Sequence, residues 1–528
     1  NNSDRVGHSI KFGADYSINE HLIVNGEINY NQRLRTGINE QNYFLPENYK
    51  KTINEDDFDD NYDLEGYIDI NQTFDNPDRE FNFSISYDYQ KDNENESLDS
   101  NITTLYQNMN GIDIDISYKH PLNEKSNVEL GYDGKINDNT ENMDFEIADF
   151  TWENTFGYKR SIHGFFLEYD YKLNDRFSIK PSLRYEYVTK DISFKSIQTG
   201  NGESDIIYAT LLDTIGVAIN DSVRAETYNK TDQIFYPDLH FTYNITEKQS
   251  LQFGLSKRVN RPGSHGHGGG SRQIRPFPRN VYSDNFIFMG NPFLKPEYST
   301  QYELSYKSPI PMGFAYANIY YHQLENVIEW YDDDRFENRD VLTFRNADTG
   351  ENMGIEFFTM IMGQTLGGSY NLSKLDDPSG DYELNGNSQR IMLYNRINFP
   401  EKYIKFFSFE FGFFFMKITV PGGDLFGAKG TMWANTGISK SLLDESVEVS
   451  LGINNLFDTG GFQMKRSKPL YDDGIEYANE FTDISTRRGG RTFKLNIIYR
   501  FGKMQEEKRK QRKGFGMENG DDSMDMGY

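Results

Sequence analysis

The sequence has no cysteine among its 528 residues. That excludes a disulfide framework, a thiolate metal site and a cysteine nucleophile. Apolar residues are scarce as well, at 36%, with only three tryptophans. A globular chain so poor in them would struggle to fill a large core. No stretch reaches the ~20 apolar residues that a membrane-crossing helix needs. The most apolar one, 406–416, is broken by Ser408, Glu410 and Gly412. Positive charge is in deficit, since 55 Lys and Arg stand against 81 Asp and Glu for a net −26. Such a charge argues against nucleic acid as a partner, because that takes basic patches to displace phosphate counterions. The chain opens Asn1-Asn2-Ser3-Asp4, with no initiator Met and no signal-like segment, and so reads as a processed or partial chain.

What the chain does have is aromatics, at 15%, nearly all from 36 Tyr and 40 Phe. They fall on a period of two. Phe81, Phe83, Ile85, Tyr87 and Tyr89 alternate with Asn82, Ser84, Ser86 and Asp88. Successive strand side chains point to opposite faces, so one face is apolar and the other polar. Leu304 and Tyr306 alternate with Glu303 and Ser305, and Leu495 and Ile497 with Lys494 and Asn496. Such segments number about nineteen, from 7–18 to 490–501. Many match the about 9–11 residues of a tilted membrane strand. Their connections alternate short and long. Asn19-Glu20, 75–79, 174–176, 246–249 and Asp444-Glu445 are short, and 33–60, 92–111, 136–160, 189–233, 259–298 and 459–489 are long. Tight periplasmic turns on one rim and long external loops on the other are the pattern of an outer-membrane β-barrel. An odd count cannot close such a barrel, and three strands upstream would raise it to 22, a size whose lumen is plugged. The expected fold is thus all-β, a transmembrane antiparallel barrel with about nineteen of 22 strands visible. Its first and last strands should not pair.

Specific pieces then resemble a known family. Ser256-Lys257-Arg258-Val259-Asn260-Arg261-Pro262 is followed by Pro276-Phe277-Pro278. Gly290-Asn291-Pro292-Phe293-Leu294-Lys295-Pro296-Glu297-Tyr298 comes next, and then a strand. Gly452-Ile453-Asn454-Asn455-Leu456-Phe457-Asp458 and a closing Tyr499-Arg500-Phe501-Gly502 complete the set. Together they resemble the barrel of TonB-dependent outer-membrane receptors, in particular the outer-membrane β-barrel family common in Bacteroidetes. The resemblance implies a Gram-negative outer-membrane location, a barrel of residues 1–502, and an N-terminal plug that binds cargo from outside. It also implies energy from a TonB–ExbB–ExbD complex. This sequence departs from that pattern in having no plug and no TonB box.

Candidate site residues are few. His265 and His267, in a Gly-rich run, supply two imidazoles and do not complete a metal site. Arg258, Arg261, Arg272, Arg275 and Arg279 form the one basic patch of an acidic chain. They suit an anionic cargo or lipopolysaccharide, or else pairing with lumen acids or the plug. The latter is the better expectation. The acidic runs Glu55 to Asp60 and Asp332 to Asp334 read as solvated loops rather than calcium sites. Gly290, Asn291, Pro292, Pro296 and Glu297, with Asn455, Leu456, Phe457 and Asp458, carry the family motifs. No phosphate loop, nucleophile elbow or His-Glu-x-x-His motif is present, so no enzyme and no cofactor are expected. Residues 503–528 change to a basic and then acidic composition and read as a disordered periplasmic tail. The expected function is energised uptake of a nutrient or chelate. A scaffold barrel for surface lipoproteins or a secretion assembly is the alternative, and a secreted adhesin a third reading.

Overall fold

The computed structural model describes residues 2–44, 50–98, 101–147, 150–199, 223–263, 273–275, 286–332, 340–376, 386–400, 404, 406–420, 423–424, 429–443, 446–459, 461–472, 475–487 and 490–499. The first strands are β1 (Asn2–Ser17), β2 (Leu22–Phe44), β3 (Lys50–Thr73), β4 (Glu80–Leu98), β5 (Asn101–Asn123), β6 (Ser126–Ile147), β7 (Phe150–Lys172), β8 (Phe177–Thr199), β9 (Val223–Asn244) and β10 (Ser250–Asn260). After β11 (Phe286–Phe288) come β12 (Glu297–Ile310), β13 (Gly313–Glu325), β14 (Ile328–Asp332), β15 (Asp340–Asn346), β16 (Thr349–Ile361), β17 (Gln364–Asp376), β18 (Gly386–Phe399) and β19 (Ser408–Val420). The last are β20 (Gly423–Asp424), β21 (Thr431–Leu442), β22 (Val447–Asn454), β23 (Gly461–Asp472), β24 (Ile475–Arg487) and β25 (Thr492–Tyr499).

Nineteen of these form one antiparallel wall in chain order: β1 to β10, then β12, β13, β16 to β19, β21, β22 and β25. The β23–β24 hairpin joins the wall through β20, and β11, β15 and β14 make a separate small sheet. Each wall strand coincides with one alternating segment of the sequence. β1 pairs with β2 and β25 with β22, and no described ladder joins β1 to β25. In a nineteen-strand antiparallel succession the first and last strands run the same way, so direct closure would be parallel. No described helix is long and apolar enough to cross a membrane, and the strands serve instead.

The register sorts the side chains as the alternation requires. Phe83 lies between Ile70 and Ile116, Leu304 between Phe253 and Ile319, and Leu495 beside Leu451. On the opposite face Ser84 donates to Asp69 and Ser305 to Asn318, and Lys180–Glu168 and Arg184–Asp133 pair at 2.7 Å. The apolar face is the lipid face, and the polar face lines the lumen. Aromatics cluster at the two margins of the lipid face, where amphipathic rings favour the membrane interface. Tyr30, Tyr62 and Tyr89 form a tilted chain at one margin, and Phe177 stacks on Tyr243 at 4.6 Å at the other.

The short turns share one rim and are built by local chemistry. The Asn19 and Asn174 side-chain oxygens each accept two backbone N–H groups within three residues, the Asx turn that asparagine favours. Met362 and Gly363 both adopt positive φ, as a two-residue type I′ hairpin requires. Asp444 lies outside the described residues.

The opposite rim corrects the sequence reading. Residues 33–60, 92–111 and 136–160 are largely continuations of β2 to β7 rather than loops, and 189–233 contributes to β8 and β9. β2 has 23 residues, or about 75 Å at the usual rise per residue. A bilayer takes up less than half of that. The acidic run lies on β3, with Asp57 opposite Glu96 and Asp59 opposite Glu94, instead of in a loop. The alternation fades there because both faces are wet above the membrane, so period two no longer separates apolar from polar.

Candidate functional site

On the upper inner wall the hydrophobic phase reverses. On β7, Phe165, Leu167 and Tyr169 face lipid, whereas Trp152, Phe156 and Tyr158 have the opposite parity and face inward. Ile192 and Phe194 on β8, Met143 and Phe145 on β6, and Leu105 on β5 reverse in the same way. A buried apolar patch inside a polar lumen needs a cover. The connection between β10 and β12 provides it: Ile274 packs into this cluster, with Tyr228 and Phe293 at its edge. Met289 and Leu294 of the same segment are also buried.

Polar contacts fasten the cover. Arg275 forms an ion pair with Glu141, and the two are only 2% and 3% exposed. The Tyr158 hydroxyl and Arg160 Nη1 donate to the Pro262 carbonyl at 3.4 and 3.3 Å. Lys190 Nζ donates to the Leu294 carbonyl at 3.4 Å. Lys190 lies above the apolar band, since β8 carries Thr189, Asp191 and Ser193 on its outer face beyond Tyr187. Burial first, then the nearby Lys230 charge, lowers its pKa to about 8.

The Gly290 to Glu297 motif is the knot that holds this segment. The Gly290 and Asn291 amides donate to the carbonyls of Arg275 and Gln273. Asn291 Nδ2 donates to Phe344 of β15 at 3.0 Å, and its Oδ1 accepts from the Phe293 amide. Glu297 accepts from the Ile328 amide of β14, and Asn346 clasps both sides of Lys295. Pro292 is buried, and Pro296 lines a small cavity behind the segment. The second motif is a turn at the outer end of β22. Asn455 and Asp458 have positive φ, the Leu456 amide donates to Ala434, and Phe457 is exposed.

Of the basic patch, Arg258 pairs with Asp238 at 3.0 Å, and Arg261 holds Glu186 and the Tyr236 hydroxyl. Glu186 also takes Arg184 at 2.7 Å. These arginines and Arg275 thus meet acids of the barrel wall. His265, His267, Arg272 and Arg279 lie outside the described residues. Tyr158, Arg160, Lys190 and Glu141 went unremarked in the sequence, where their only signal was the reversal of parity along β6 to β8.

A nineteen-strand wall with lipid and lumen faces and aromatic margins is an outer-membrane barrel architecture. Residues 67–499 match the model of the outer membrane protein beta-barrel family. The chain belongs to that family. Its place is the Gram-negative outer membrane. A sequence comparison with curated proteins gives no match. Among solved structures, the fold is similar to the ferric yersiniabactin uptake receptor FyuA of Yersinia pestis. Identity is 12% and the TM-score 0.56, over 94% of this chain and 79% of that one. It is likewise similar to the ferric-catecholate import receptor Fiu of E. coli K12, at 10% identity and TM-score 0.56, over 94% and 80%. The alcaligin outer membrane receptor FauA of Bordetella pertussis follows at 12% and 0.51, over 86% and 66%. All three are receptors rather than enzymes.

Proposed function

We propose that this family member is the barrel of a TonB-dependent receptor that takes up a nutrient or chelate across the outer membrane with energy supplied from the inner membrane. The observation that carries the reading is the nineteen-strand wall, in which no ladder joins β1 to β25 among the described residues. Its odd count calls for an odd number of further strands, and three would make 22, a lumen wide enough to need a plug. FyuA and Fiu, named as uptake and import receptors, support the same direction. In this reading a plug from the same protein fills the lumen, TonB–ExbB–ExbD energises it, and residues 503–528 form a charged periplasmic tail. The basic patch serves the barrel's own acids first. The outer band meets lipid and, in the outer leaflet, lipopolysaccharide. The tall β2–β9 hairpins offer a wall on which a surface lipoprotein could dock and deliver cargo, which keeps the scaffold reading as the second choice.

The test is uptake. Cells carrying the protein as their sole route to a limiting nutrient should lose growth on it when the gene is deleted. Accumulation should collapse when an uncoupler removes the proton-motive force. Accumulation that survives the uncoupler contradicts energised transport, and unchanged growth on every tested nutrient favours the scaffold.

A further inference from the structure

The short turn between β3 and β4 sets a cation at the margin of the lipid face. Asn76 builds that turn: its side-chain oxygen accepts from the Asp78 amide, and its carbonyl accepts from the Arg79 amide, both at 3.0 Å. Arg79 stands two residues before Phe81 and four before Phe83, so it shares their lipid-facing parity. Across the ladder Phe81 meets Tyr118, and His120 follows on the same face of β5.

Three contacts fix the Arg79 guanidinium. It stands over the Phe74 ring at 4.3 Å and the Tyr118 ring at 5.6 Å, and its Nε donates to the Tyr118 hydroxyl at 2.7 Å. That hydroxyl is itself held, 3.1 Å from His120 Nδ1. A side chain ordered beforehand loses less freedom when a ligand arrives. Nε is spent on Tyr118, and no carboxylate among the described residues pairs with Arg79, so the Nη1–Nη2 end of the fork remains for a ligand. Lys440 of β21 stands at the same margin of the lipid face, yet its side chain has no ion pair, hydrogen bond or ring contact among the described residues. The surroundings of Arg79 differ in two directions. Beyond Phe81 and Tyr118, toward the middle of the membrane, Ile70, Phe83 and Ile116 form one apolar row and Ile68, Ile85 and Ile114 the next. Toward water the turn carries the exposed Asp75, 3.7 Å from His21 Nε2, and the exposed Asp78.

We infer that this corner binds one ethanolamine phospholipid of the periplasmic leaflet, with its phosphodiester on Arg79, its ammonium toward Asp75 and Asp78, and an acyl chain along the isoleucine rows. The two non-bridging phosphate oxygens match the two free ends of a guanidinium fork, a bidentate geometry that a lysine cannot offer. Aromatic rings at a membrane margin sit at headgroup level, which places the fork at the depth of the phosphate. The phosphate is common to every phospholipid there. The two acids choose among headgroups, since they attract a terminal amine and repel a headgroup of net negative charge. The site is independent of the uptake reading, because it lies on the lipid face.

The experiment is native mass spectrometry of the full-length protein, delipidated in detergent and titrated with phosphatidylethanolamine, phosphatidylglycerol or phosphatidylcholine of matched acyl chains. The heat-modifiable folded band confirms the barrel in each variant. The parent should retain one phosphatidylethanolamine at concentrations where the other two lipids are held less. Arg79→Gln should raise the concentration needed about tenfold to a hundredfold, the worth of a charged hydrogen bond. Lys440→Gln, which removes a cation of the same margin, should leave the titration unchanged. Tyr118→Phe keeps the charge but loosens the fork, and should weaken binding by a smaller factor than Arg79→Gln. The double change Asp75→Asn with Asp78→Asn should shift the preference toward phosphatidylglycerol. If Arg79→Gln and Lys440→Gln act alike, the bound lipid is only annular and the site is refuted. If the parent holds phosphatidylglycerol as tightly as phosphatidylethanolamine, and the double change alters neither, the ethanolamine assignment is overturned. Energised uptake would be unaffected by either outcome.

Discussion

Glu141 and Arg275 join the inner wall to the β10–β12 segment in a nearly water-free setting, at 3% and 2% exposure. Removing one member of a buried pair typically costs about 3–5 kcal/mol, because the survivor is left charged and unpaired. Replacing both by apolar residues of similar size is often close to neutral. The barrel is expected to withstand either change, so the effect should fall on local opening of the segment. A chain without cysteine is convenient here, since one introduced thiol is the only one. Met289 is fully buried on the segment, and Met289→Cys places the reporter there. Added in that background, Glu141→Gln should speed thiol labelling by at least about a hundredfold, since each 1.36 kcal/mol is a factor of about ten. Arg275→Met should act similarly. The double variant Glu141→Leu with Arg275→Met should return to within about tenfold of the parent. If both single variants label at the parent rate, the pair does not hold the segment. If the double variant is as fast as the singles, packing rather than charge compensation governs the site.

Other consequences follow from the same geometry. Leu304→Arg at the lipid face should lower barrel stability by about 2–4 kcal/mol if it sits at the bilayer midplane, read as loss of the heat-modifiable folded band. The inward Ser305→Lys should be far milder. A cysteine at Glu146 should react with an impermeant reagent on intact cells, and one at Asn174 only after permeabilisation. The reverse result would invert the topology. Lys190 holds its proton less tightly when docked, with a pKa of about 8 against an ordinary 10.5. The released state therefore binds more protons between those values, and docking should tighten as pH rises from about 8 to 10.5. Hydrogen exchange of the 286–298 amides, corrected for the intrinsic rate, should slow across that window, and Lys190→Met should abolish the trend.

The membrane-embedded part of this protein is written openly in its sequence. Phe81 to Tyr89 alternates because one side of β4 meets lipid and the other water, and the same cause makes every wall strand visible. The short turns are equally legible, because Asn19 and Asn174 close them with their own side chains. The external parts of β2 to β9 were hidden because water lies on both sides there, and the Asp57 and Asp59 neighbourhood looks like any solvated loop. Trp152, Phe156 and Tyr158 carried a signal of another kind. Their parity opposes that of Phe165 and Leu167, and such a reversal along one strand means an apolar surface turned into the lumen. The arginine patch was found by composition, but its pairing was not readable. Glu186 and Glu141 are far away in sequence, and come near only through the register of β8, β9 and β10 and the docking of the β10–β12 segment on the wall. Arg160 and Lys190 gave no signal of their own, because an inward cation on a barrel strand is ordinary and their contacts to the Pro262 and Leu294 carbonyls depend on the fold.

The two edges of the wall decide whether it closes on itself. β1 and β25 run in the same direction and are both exposed, with Phe12 at 74% and Leu495 at 61%. Spin labels at Phe12 and, in turn, at Phe493, Leu495 and Ile497 would measure their separation by pulsed electron resonance in lipid. Three strands between β1 and β25 make four inter-strand gaps, or about 19 Å between the two backbones at roughly 4.8 Å each. No pair of sites should come closer than this in the protein as made by the cell. A separation of about 5 Å for any pair, the spacing of directly bonded neighbours, would mean that the wall closes on itself, and it would contradict the larger plugged barrel.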